Sequence, residues 1–562
     1  MGLSFLNRKS ALLVLLLVLG LGVLIGHQSL PPMDRDESRF AQASKQMVMS
    51  GDYVTIRFQE ELRAKKPAGI YWLQSVSAST LGLDDISAYR VPSLLAMLLS
   101  VFMTYKLACY LYKPPRALLA ATVVGTSLLV MGEAHLAKTD SVLMLLCLLQ
   151  QFALMLVYRA WQQDRSAQSW HVYGFWLALG AGTMVKGPIA PLLAITTLIT
   201  LSLWHRDISW IKRLRLGQGL LIVAAMTLPW AILVSIATDG AFLNIAFNAD
   251  FLAKVKTVQE SHGAPFGTYF ILLAILLWPG ALLLPRAIAQ MPALMAHIET
   301  RFLLAWIVPY WVVIEFIPTK LPHYPLPVFP ALAVMIVCAV DTIVPGSLHG
   351  KLRERAKYVI TIAAEYLLLA AGLLLAGVVL WAALQYGGIT GGRAFAFATI
   401  GCVVAGLAIW QGALWQFRQG IMPLFAMLAA GFAFNFVLMA GLVPSLSRIH
   451  VSSAIVDQIA IDDMQPAMVA AAGYHEPSLV FLLGSDVLLL DGREAALFLA
   501  EAPGGLAIIE QRQQSVFLDT AKEINLMLKP PRQLTGINIS KGQEVLIWLY
   551  RAEMFDGASP SS

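Results

Sequence analysis

The feature that most constrains this chain is its series of long apolar runs separated by short polar turns. Many runs reach the roughly 20 apolar residues that a helix needs to cross the hydrocarbon core of a bilayer. Hydrophobic residues make up 58% of the 562 residues and charged residues only 13%, whereas an average soluble domain has about 25% charged residues. The sequence therefore predicts a polytopic α-helical membrane protein.

The hydropathy runs predict about thirteen transmembrane helices. Their approximate bounds are 10–27, 88–112, 115–133, 139–161, 171–184, 187–204, 216–237, 266–288, 302–317, 323–343, 357–383, 394–416 and 421–444. The first run follows Arg8-Lys9 and is not followed by a small-residue cleavage site, so we interpret it as a retained span. The fifth run is short, and Lys186-Gly187-Pro188 leaves open a break within one long hairpin.

Basic residues in the loops test this count, because loops rich in Lys and Arg stay in the cytoplasm. With a cytoplasmic N-terminus, every predicted cytoplasmic loop is basic. The residues are Lys113, Arg116, Arg159, Arg165, Arg206, Lys212, Arg213, Arg215, Arg286, Arg301, Lys351, Arg353, Arg355, Lys357 and Arg418. Cations spread over so many loops disfavour nucleic-acid binding, despite the net charge of +6. We expect a multi-pass protein of the bacterial inner membrane.

The alternate segments then lie on the periplasmic side, and three of them are long: about 28–87, 238–265 and the tail from about 445. In the tail, short apolar runs typical of strands alternate with helical patterns. The sequence predicts a transmembrane domain at 1–445 and a small C-terminal periplasmic α/β domain at 446–562. The four cysteines lie inside apolar runs without metal-ligand spacing and are interpreted as small apolar side chains.

The first external loop is unusually rich in charge. It opens with Asp34-Arg35-Asp36-Glu37-Ser38-Arg39, and Arg57, Arg63, Lys65 and Lys66 follow. Helix capping and the helix dipole account for the acids but not for the dense cations. Contact with lipid headgroups would explain any single cation. Together they suit an anionic phosphate whose charge grows as it leaves.

Other ionisable residues border the predicted spans on the same side. They are Glu133, His135, Lys138, Asp140, Lys186, Glu260, His262, Glu315, Lys320, His323 and Tyr324. Ionisable groups at a membrane border are costly and indicate a functional site, although a single Lys or His at a span end is usually an anchor. Because these groups share one side, we expect them to converge on one cavity.

Several motifs also stand in a familiar order along the chain. They are Asp36–Ala41, Met49–Tyr53, Lys66–Trp72, Asp140, Thr183–Gly187, His262–Phe266 and Lys320–Tyr324. In these motifs the chain resembles the membrane-embedded GT-C glycosyltransferases, specifically the lipid A aminoarabinose transferase family. The resemblance runs from the first span to about the tenth.

The resemblance implies a GT-C fold, an undecaprenyl-type polyprenyl-phosphate-sugar donor and an acceptor such as lipid A or a related lipid-linked glycan. We predict catalytic roles for Asp36, Asp140 and Glu37. We predict that Lys66, Arg39, Lys186, Lys320, Tyr324 and Arg63 bind the carrier phosphate or line the cavity. The chain is expected to act as a monomer. If the acceptor is a hydroxyl, an Asp suits the general base, and if it is a phosphate, Asp36 would orient it. The sequence leaves that choice, and the sugar, open.

One departure from the family concerns a metal. The family's glutamate before the Lys-Pro pair is Lys65 here. In some relatives that glutamate and a histidine matching His262 hold a zinc ion. With Lys65 in its place we expect no required cofactor, and His262 remains only a candidate ligand. A polyprenyl phosphate needs only cationic stabilisation to leave.

Two other classes of protein handle similar lipids. A transporter or flippase for a lipid-linked sugar predicts symmetric halves and broken helices near the midplane, and the sequence has no such symmetry. A polymerase or ligase acting on the same carrier would share the external site, so this reading stays open.

Overall fold

The computed structural model describes residues 8–246, 263–341, 351–418, 420–539 and 541–553, and the chain up to Ser445 is almost wholly helical. Its helices are α1 (Arg8–Ser29), α2 (Asp36–Ser50), α3 (Gly69–Leu81), α4 (Ile86–Ala108), α5 (Pro114–Thr126), α6 (Leu128–Ala134), α7 (Asp140–Gln162), α8 (Ser169–Lys186), α9 (Ile189–His205), α10 (Leu216–Ala237), α11 (Ala241–Asn244), α12 (Thr268–Leu276), α13 (Leu284–Leu294), α14 (Ile298–Phe316), α15 (Phe329–Ile336), α16 (Leu352–Tyr386), α17 (Gly391–Arg418) and α18 (Ile421–Phe436). Short 3₁₀ turns lie at Ser209–Leu214, Gly280–Leu283, Leu326–Val328, Val337–Asp341, Gly388–Thr390, Val443–Ser445 and Ser447–Ile449, and a π-helical segment at Val437–Leu442.

Many of these helices have the length and composition of membrane spans. Within the described ranges, seven are long and apolar enough to cross a bilayer, or up to nine if each bent pair forms one span. The bent pairs are α5 with α6, at 59°, and α12 with the helix at Gly280–Pro292, at 116°. The prediction of a helical chain with many apolar spans is confirmed. The fifth and sixth predicted runs form two helices, α8 and α9, which separate at Gly187.

Burial places α7 at the centre of the helical region. In its most apolar stretch, 83% of the residues are buried inside the protein, compared with 11% for α10. Apolar side chains on every face are what a central helix requires, whereas a helix at the periphery exposes its apolar surface to lipid. The N-terminal end of this central helix carries Asp140.

The first external loop folds into α2, α3 and a small hairpin of β1 (Arg57–Phe58) and β2 (Glu61–Leu62). Helix α2 begins with Asp36 and Glu37 in its first turn, where acids interact favourably with the helix dipole. It ends at Gly51, whose φ of 72° is a left-handed conformation that glycine adopts without strain.

The C-terminal region, 451–553, contains both helices and strands. Its elements are α19 (Val451–Ile461), β3 (Val469–Ala472), α20 (Pro477–Leu483), β4 (Leu488–Leu490), α21 (Gly492–Glu501), β5 (Leu506–Glu510), α22 (Gln511–Glu523), β6 (Arg532–Asn538) and β7 (Gln543–Tyr550). They form a five-stranded sheet in the order β4-β3-β5-β7-β6, called here the C-terminal sheet. The first three strands are parallel, and β7 runs antiparallel to both of its neighbours.

Both faces of the C-terminal sheet are covered. Ala471 and Ile508 point into one buried cluster with α19, and Ala470 and Ile509 point into another with α21 and α22. Alternate residues of a strand face opposite sides of the sheet. A strand that is apolar at every position must therefore be covered by other elements on both faces. The short uninterrupted apolar runs of the tail have this pattern.

The C-terminal sheet is joined to the first external loop through α20. The backbone N–H of Ser478 donates to Asp34 Oδ1 at 2.9 Å, and Gln59 Nε2 donates to the carbonyl of Val487 at 2.7 Å. The rings of Tyr89 and Phe481 meet edge to face at 5.6 Å. These contacts hold the sheet on the side of the molecule where the first loop lies.

Candidate active site

Two antiparallel helices bring the first pair of charged residues together. Asp140 is the first residue of α7 and Lys186 is the last residue of α8. Lys186 Nζ donates to Asp140 Oδ1, which forms an ion pair in a largely buried setting. An acid at a helix N-terminus and a base at a C-terminus each complement the helix dipole. Gly187, with φ of 62°, then turns the chain into α9.

Further ionisable side chains surround this pair. Lys138 Nζ lies 3.0 Å from Glu133 Oε1 and 3.9 Å from Asp140 Oδ2. The ring of His323 lies between the same two acids, with Nδ1 3.9 Å from Glu133 and Nε2 3.8 Å from Asp140. Burial lowers the pKa of Lys138, but the neighbouring carboxylates outweigh that effect and hold it above its usual range. Lys138 therefore stays charged.

Asp36 joins this cluster from the first external loop. Burial by the surrounding protein raises the pKa of its carboxyl, but the positive charges of Lys138, Arg63 and Lys66 outweigh burial and hold the pKa below its usual range. Solvent still reaches the side chain. A carboxylate that is ionised, accessible and ringed by cations is equipped either to accept a proton or to orient a polar group.

A cavity of about 520 Å³ opens beside these residues. Lys65, Lys66, Lys186 and His323 contribute its basic lining. The remaining lining is largely apolar and includes Leu143, Ile189, Leu192, Trp230, Phe242, Tyr310, Ile314, Ile317 and Tyr324. Basic groups next to an apolar wall match a ligand that joins a phosphate to a hydrocarbon chain.

A close helix contact places Lys66 beside Lys186. A Cβ on Gly69 would lie 2.6 Å from the carbonyl oxygen of Met184, so only glycine lets the start of α3 approach the end of α8. Nearby, Arg63 Nε donates to the hydroxyl of Tyr71 at 3.0 Å. That bond directs the Arg63 guanidinium within the loop that carries Lys66.

Glu37 occupies a different environment from Asp36. Its two carboxylate oxygens accept from Arg90 Nε and Nη2, both at 2.8 Å. They also accept the backbone N–H groups of Ala137 at 2.8 Å and Met33 at 2.9 Å. Glu37 is 2% exposed. The bonds from Arg90 and Ala137 tie the first loop to α4 and to the turn before Asp140, and the bond from Met33 lies within the loop. The catalytic role predicted for Glu37 stays a prediction, and its contacts favour a positioning role.

Lys320 and Arg39 also lie apart from the cavity lining. Lys320 Nζ donates to the carbonyls of Ile314, Glu315 and Ile317 at 3.1, 2.5 and 2.8 Å, which uses its three donors to cap the end of α14. Arg39 lies near enough to Asp34 to act on its charge, at the contact with the C-terminal sheet. The phosphate-binding role predicted for these two residues stays a prediction.

The sequence predicts that Glu133, Lys138 and His323 converge on one cavity with the other ionisable residues at the span borders, but it assigns them no role. The structure gathers all three around Asp140. The signal that distinguishes them is their position, since each lies within ten residues of Asp140 or Tyr324 along the chain.

A metal ion does not fit the residues that the structure describes. The candidate zinc ligand His262 lies outside the described residues, and the ammonium of Lys65 has no lone pair with which to bind a metal. Glu133, Asp140 and His323 do offer ligand atoms within 4.8 Å of one another. However, Lys138 and Lys186 already pair with those carboxylates, so a divalent cation would meet two ammonium groups there.

Comparison with known proteins gives sequence relatives for this arrangement. Residues 65–233 match the family model described as dolichyl-phosphate-mannose-protein mannosyltransferase. The undecaprenyl phosphate-alpha-4-amino-4-deoxy-L-arabinose arabinosyl transferase of Pectobacterium carotovorum is 31% identical over 343 residues, 60% of each chain. The transferase of that name from Pseudomonas aeruginosa is 29% identical over 334 residues, 59% of each chain. The chain thus spans about three fifths of the length of these curated relatives.

The fold likeness extends over nearly the whole chain. The crystal structure of ArnT from Cupriavidus metallidurans in the apo state aligns with a TM-score of 0.74 and 21% identity, and covers 99% of this chain and 100% of that one. The chain has the ArnT fold. The structure of ArnT bound to undecaprenyl phosphate aligns equally well, over 98% of this chain and 99% of that one. The resemblance to the aminoarabinose transferase family that the motifs indicate is confirmed.

Proposed function

We propose that this chain is a glycosyltransferase that moves a hexosyl or pentosyl group from an undecaprenyl-type polyprenyl phosphate to lipid A or a related cell-envelope lipid or glycan. The observation that carries the proposal is the cavity in which Lys66 and Lys186 lie beside Asp36, Asp140 and an apolar wall. The names of the sequence relatives, and the carrier lipid bound to ArnT, support the same chemistry.

In the proposed reaction the carrier phosphate accepts hydrogen bonds from Lys66 and Lys186. As the bond from the anomeric carbon to the phosphate oxygen breaks, negative charge grows on the phosphate, and these cations stabilise it. The acceptor oxygen attacks the anomeric carbon. If that oxygen belongs to a hydroxyl, Asp36 takes its proton. Asp140 holds the Lys186 ammonium in place through their ion pair.

The remaining binding residues act around this centre. Tyr324 lines the cavity next to His323, and Arg63 adds positive charge near Asp36. Glu37 acts as a positioning residue, because its bonds to Arg90 and Ala137 tie the first loop to the turn before Asp140.

The proposal includes an orientation. We place the N-terminus in the cytoplasm, about thirteen spans in the domain 1–445, and the domain 446–562 with its C-terminal sheet in the periplasm. The first loop, the turn before Asp140 and the C-terminal sheet contact one another, which requires them to lie on one side of the bilayer. We propose that the chain acts as a monomer.

The proposal is tested with the purified protein, a polyprenyl-phosphate-linked sugar and lipid A as acceptor. We expect Lys66→Ala to lower the transfer rate by about 10²–10³-fold, as for the loss of one group that stabilises developing charge. Asp36→Asn should lower it by about 10²–10⁴-fold if Asp36 is the general base. The matched control is Asp207→Asn, an acid in a loop on the far side that should leave the rate unchanged.

The reaction products distinguish a transferase from a flippase or a ligase. Mass spectrometry of lipid A and of the carrier identifies both the sugar and its acceptor. Near-normal transfer by Asp36→Asn or Lys66→Ala would remove that residue from the mechanism. Movement of the intact carrier across a vesicle bilayer without any sugar transfer would support the flippase instead. Transfer of a preassembled glycan would support the ligase.

A further inference from the structure

A second and larger cavity, of about 1250 Å³, lies between α1, α4, α7 and α8. It is called here the lower groove. Its walls are largely apolar and include Leu16, Met103, Leu149, Phe152 and Leu177. Phe152 lies twelve residues after Asp140 on α7, which corresponds to about 18 Å along the helix axis. None of the described residues that line the lower groove also lines the cavity of the candidate active site, so the two cavities are distinct.

Small residues on α8 create the space. Gly174, Ala178 and Ala181 line the lower groove at intervals of three and four residues, which places them on one face of the helix. Apart from the adjoining backbone of α8, a Cβ built on Gly174 would have no atom within 4 Å. The space beside this residue is therefore open.

The charged side chains described in the lining of the lower groove are all basic. Among the described residues that line it, the charged ones are Lys9, in the first turn of α1, and Lys106, near the end of α4. Both are exposed. Nearby Arg159 lies over the ring of Tyr110 at 5.2 Å and pairs with Glu299 at 3.5 Å, so its charge is already partly matched. The lower groove thus combines apolar walls with two cations at the basic ends of its helices.

We propose that the lower groove binds one anionic glycerophospholipid, with its phosphate at Lys9 and Lys106 and its acyl chains along the apolar walls. Basic pockets between transmembrane helices on the cytoplasmic side bind acidic lipid headgroups in this way. The choice of an anionic lipid rests on charge complementarity, since a zwitterionic headgroup would place a second cation among the lysines. The site is independent of the sugar transfer proposed above.

Two kinds of variant test the proposal. Lys9→Ala with Lys106→Ala removes the cations that face the headgroup, and both positions are exposed, so the fold should tolerate the change. Gly174→Leu fills the groove where a side chain meets no neighbour. The matched controls are Gly217→Leu, an equally open glycine in α10, and Lys351→Ala with Lys357→Ala, two exposed lysines on another basic segment.

The measurement is native mass spectrometry of the full chain in detergent, titrated with phosphatidylglycerol or phosphatidylcholine. We expect one phosphatidylglycerol per chain to bind more tightly than phosphatidylcholine. The double lysine variant should weaken that binding by about thirtyfold. Gly174→Leu should abolish it, and both controls should bind normally.

Three results would overturn the proposal. The first is equal binding of the two lipids by the natural chain, and the second is unchanged phosphatidylglycerol binding in the double lysine variant. The third is a dimer that Gly174→Leu dissociates, since a second copy of the chain would then occupy the groove. Sugar transfer does not enter this measurement, so its outcome is separate from that of the proposed function.

Discussion

At the scale of single residues, Asp36 and Glu37 show how adjacent acids come to differ. Successive residues on a helix point about 100° apart, so the two side chains leave α2 in different directions. Asp36 faces solvent and the cations around the cavity, whereas Glu37 points inward to Arg90. Two adjacent acidic residues therefore have different surroundings, one beside the cations of the cavity and the other in a buried ion pair.

The buried pair predicts a stability effect. Glu37→Gln should lower the free energy of unfolding by about 3–5 kcal/mol, because Arg90 then keeps a buried charge without its partner. The measurement is the thermal unfolding midpoint in detergent. Adding Arg90→Met to Glu37→Gln should recover part of the loss, since the uncompensated charge is then gone. A Glu37→Gln protein with unchanged unfolding but no sugar transfer would instead support the catalytic role that the sequence predicts.

At the scale of elements, helix ends define the candidate site. Asp140 begins α7, Lys186 ends α8, and Asp36 begins α2. A second set of contacts joins α20 to the first loop through Asp34 and Ser478. The C-terminal sheet is thus coupled to the loop that carries Asp36.

The α20 contact should depend on pH. Burial raises the pKa of Asp34, and so does the charge of Glu476, whereas the bonds from Ser478 and the charge of Arg39 lower it. Together these effects bring the pKa to about 6. Tyr474 also lies nearby, and its own pKa is raised by burial. Because the value for the unfolded chain is 3.8, the folded state binds more protons between these two values. Stability from Asp34 is therefore greatest at low pH and falls as the pH rises through about 6.

Asp34→Asn should remove this dependence. We expect the variant to gain thermal stability relative to the natural chain as the pH is raised from 5 to 8, in unfolding scans in detergent. Asp486→Asn, at an exposed position close to α20, provides the control and should show no such trend. A constant difference between Asp34→Asn and the natural chain at every pH would show that Asp34 does not titrate in this range.

At the scale of the whole molecule, the candidate site lies at one end of α7 and α8, and the lower groove extends along these helices towards their other end. Lys106 of the lower groove lies seven residues before Lys113 in the chain, and Asp36 of the candidate site belongs to the first loop, which contacts α20. This arrangement agrees with the proposed orientation, in which basic loops stay in the cytoplasm.

Cysteine labelling tests that orientation. In a Cys109→Ser background, a membrane-impermeant maleimide should label Lys522→Cys in intact spheroplasts, because that residue lies exposed on α22. It should label Lys212→Cys, exposed in a basic loop, only after the membrane is permeabilised. The reverse pattern would place the C-terminal sheet in the cytoplasm and contradict the proposed topology.

The sequence by itself determined that this chain is helical and lies in a membrane, because the length of an apolar run and the charge of its flanks are local properties. It also pointed to Asp36, Lys66, Asp140 and Lys186, since ionisable residues at helix ends stand out where charge is scarce. The motifs that carry the family resemblance contain these same four residues. These residues are found in one cluster in the structure.

Only the tertiary structure decided which charged groups are paired inside the protein. Arg90 is 53 residues from Glu37, and no local pattern identifies such a partner. Lys320 caps α14, which ends at Phe316, four residues before it in the chain. Hydropathy also does not predict the bends of 59° and 116° within the two bent pairs of helices. Hydropathy measures how apolar a segment is. The direction of a helix and the ion-pair partners of its side chains depend on the elements that pack against it.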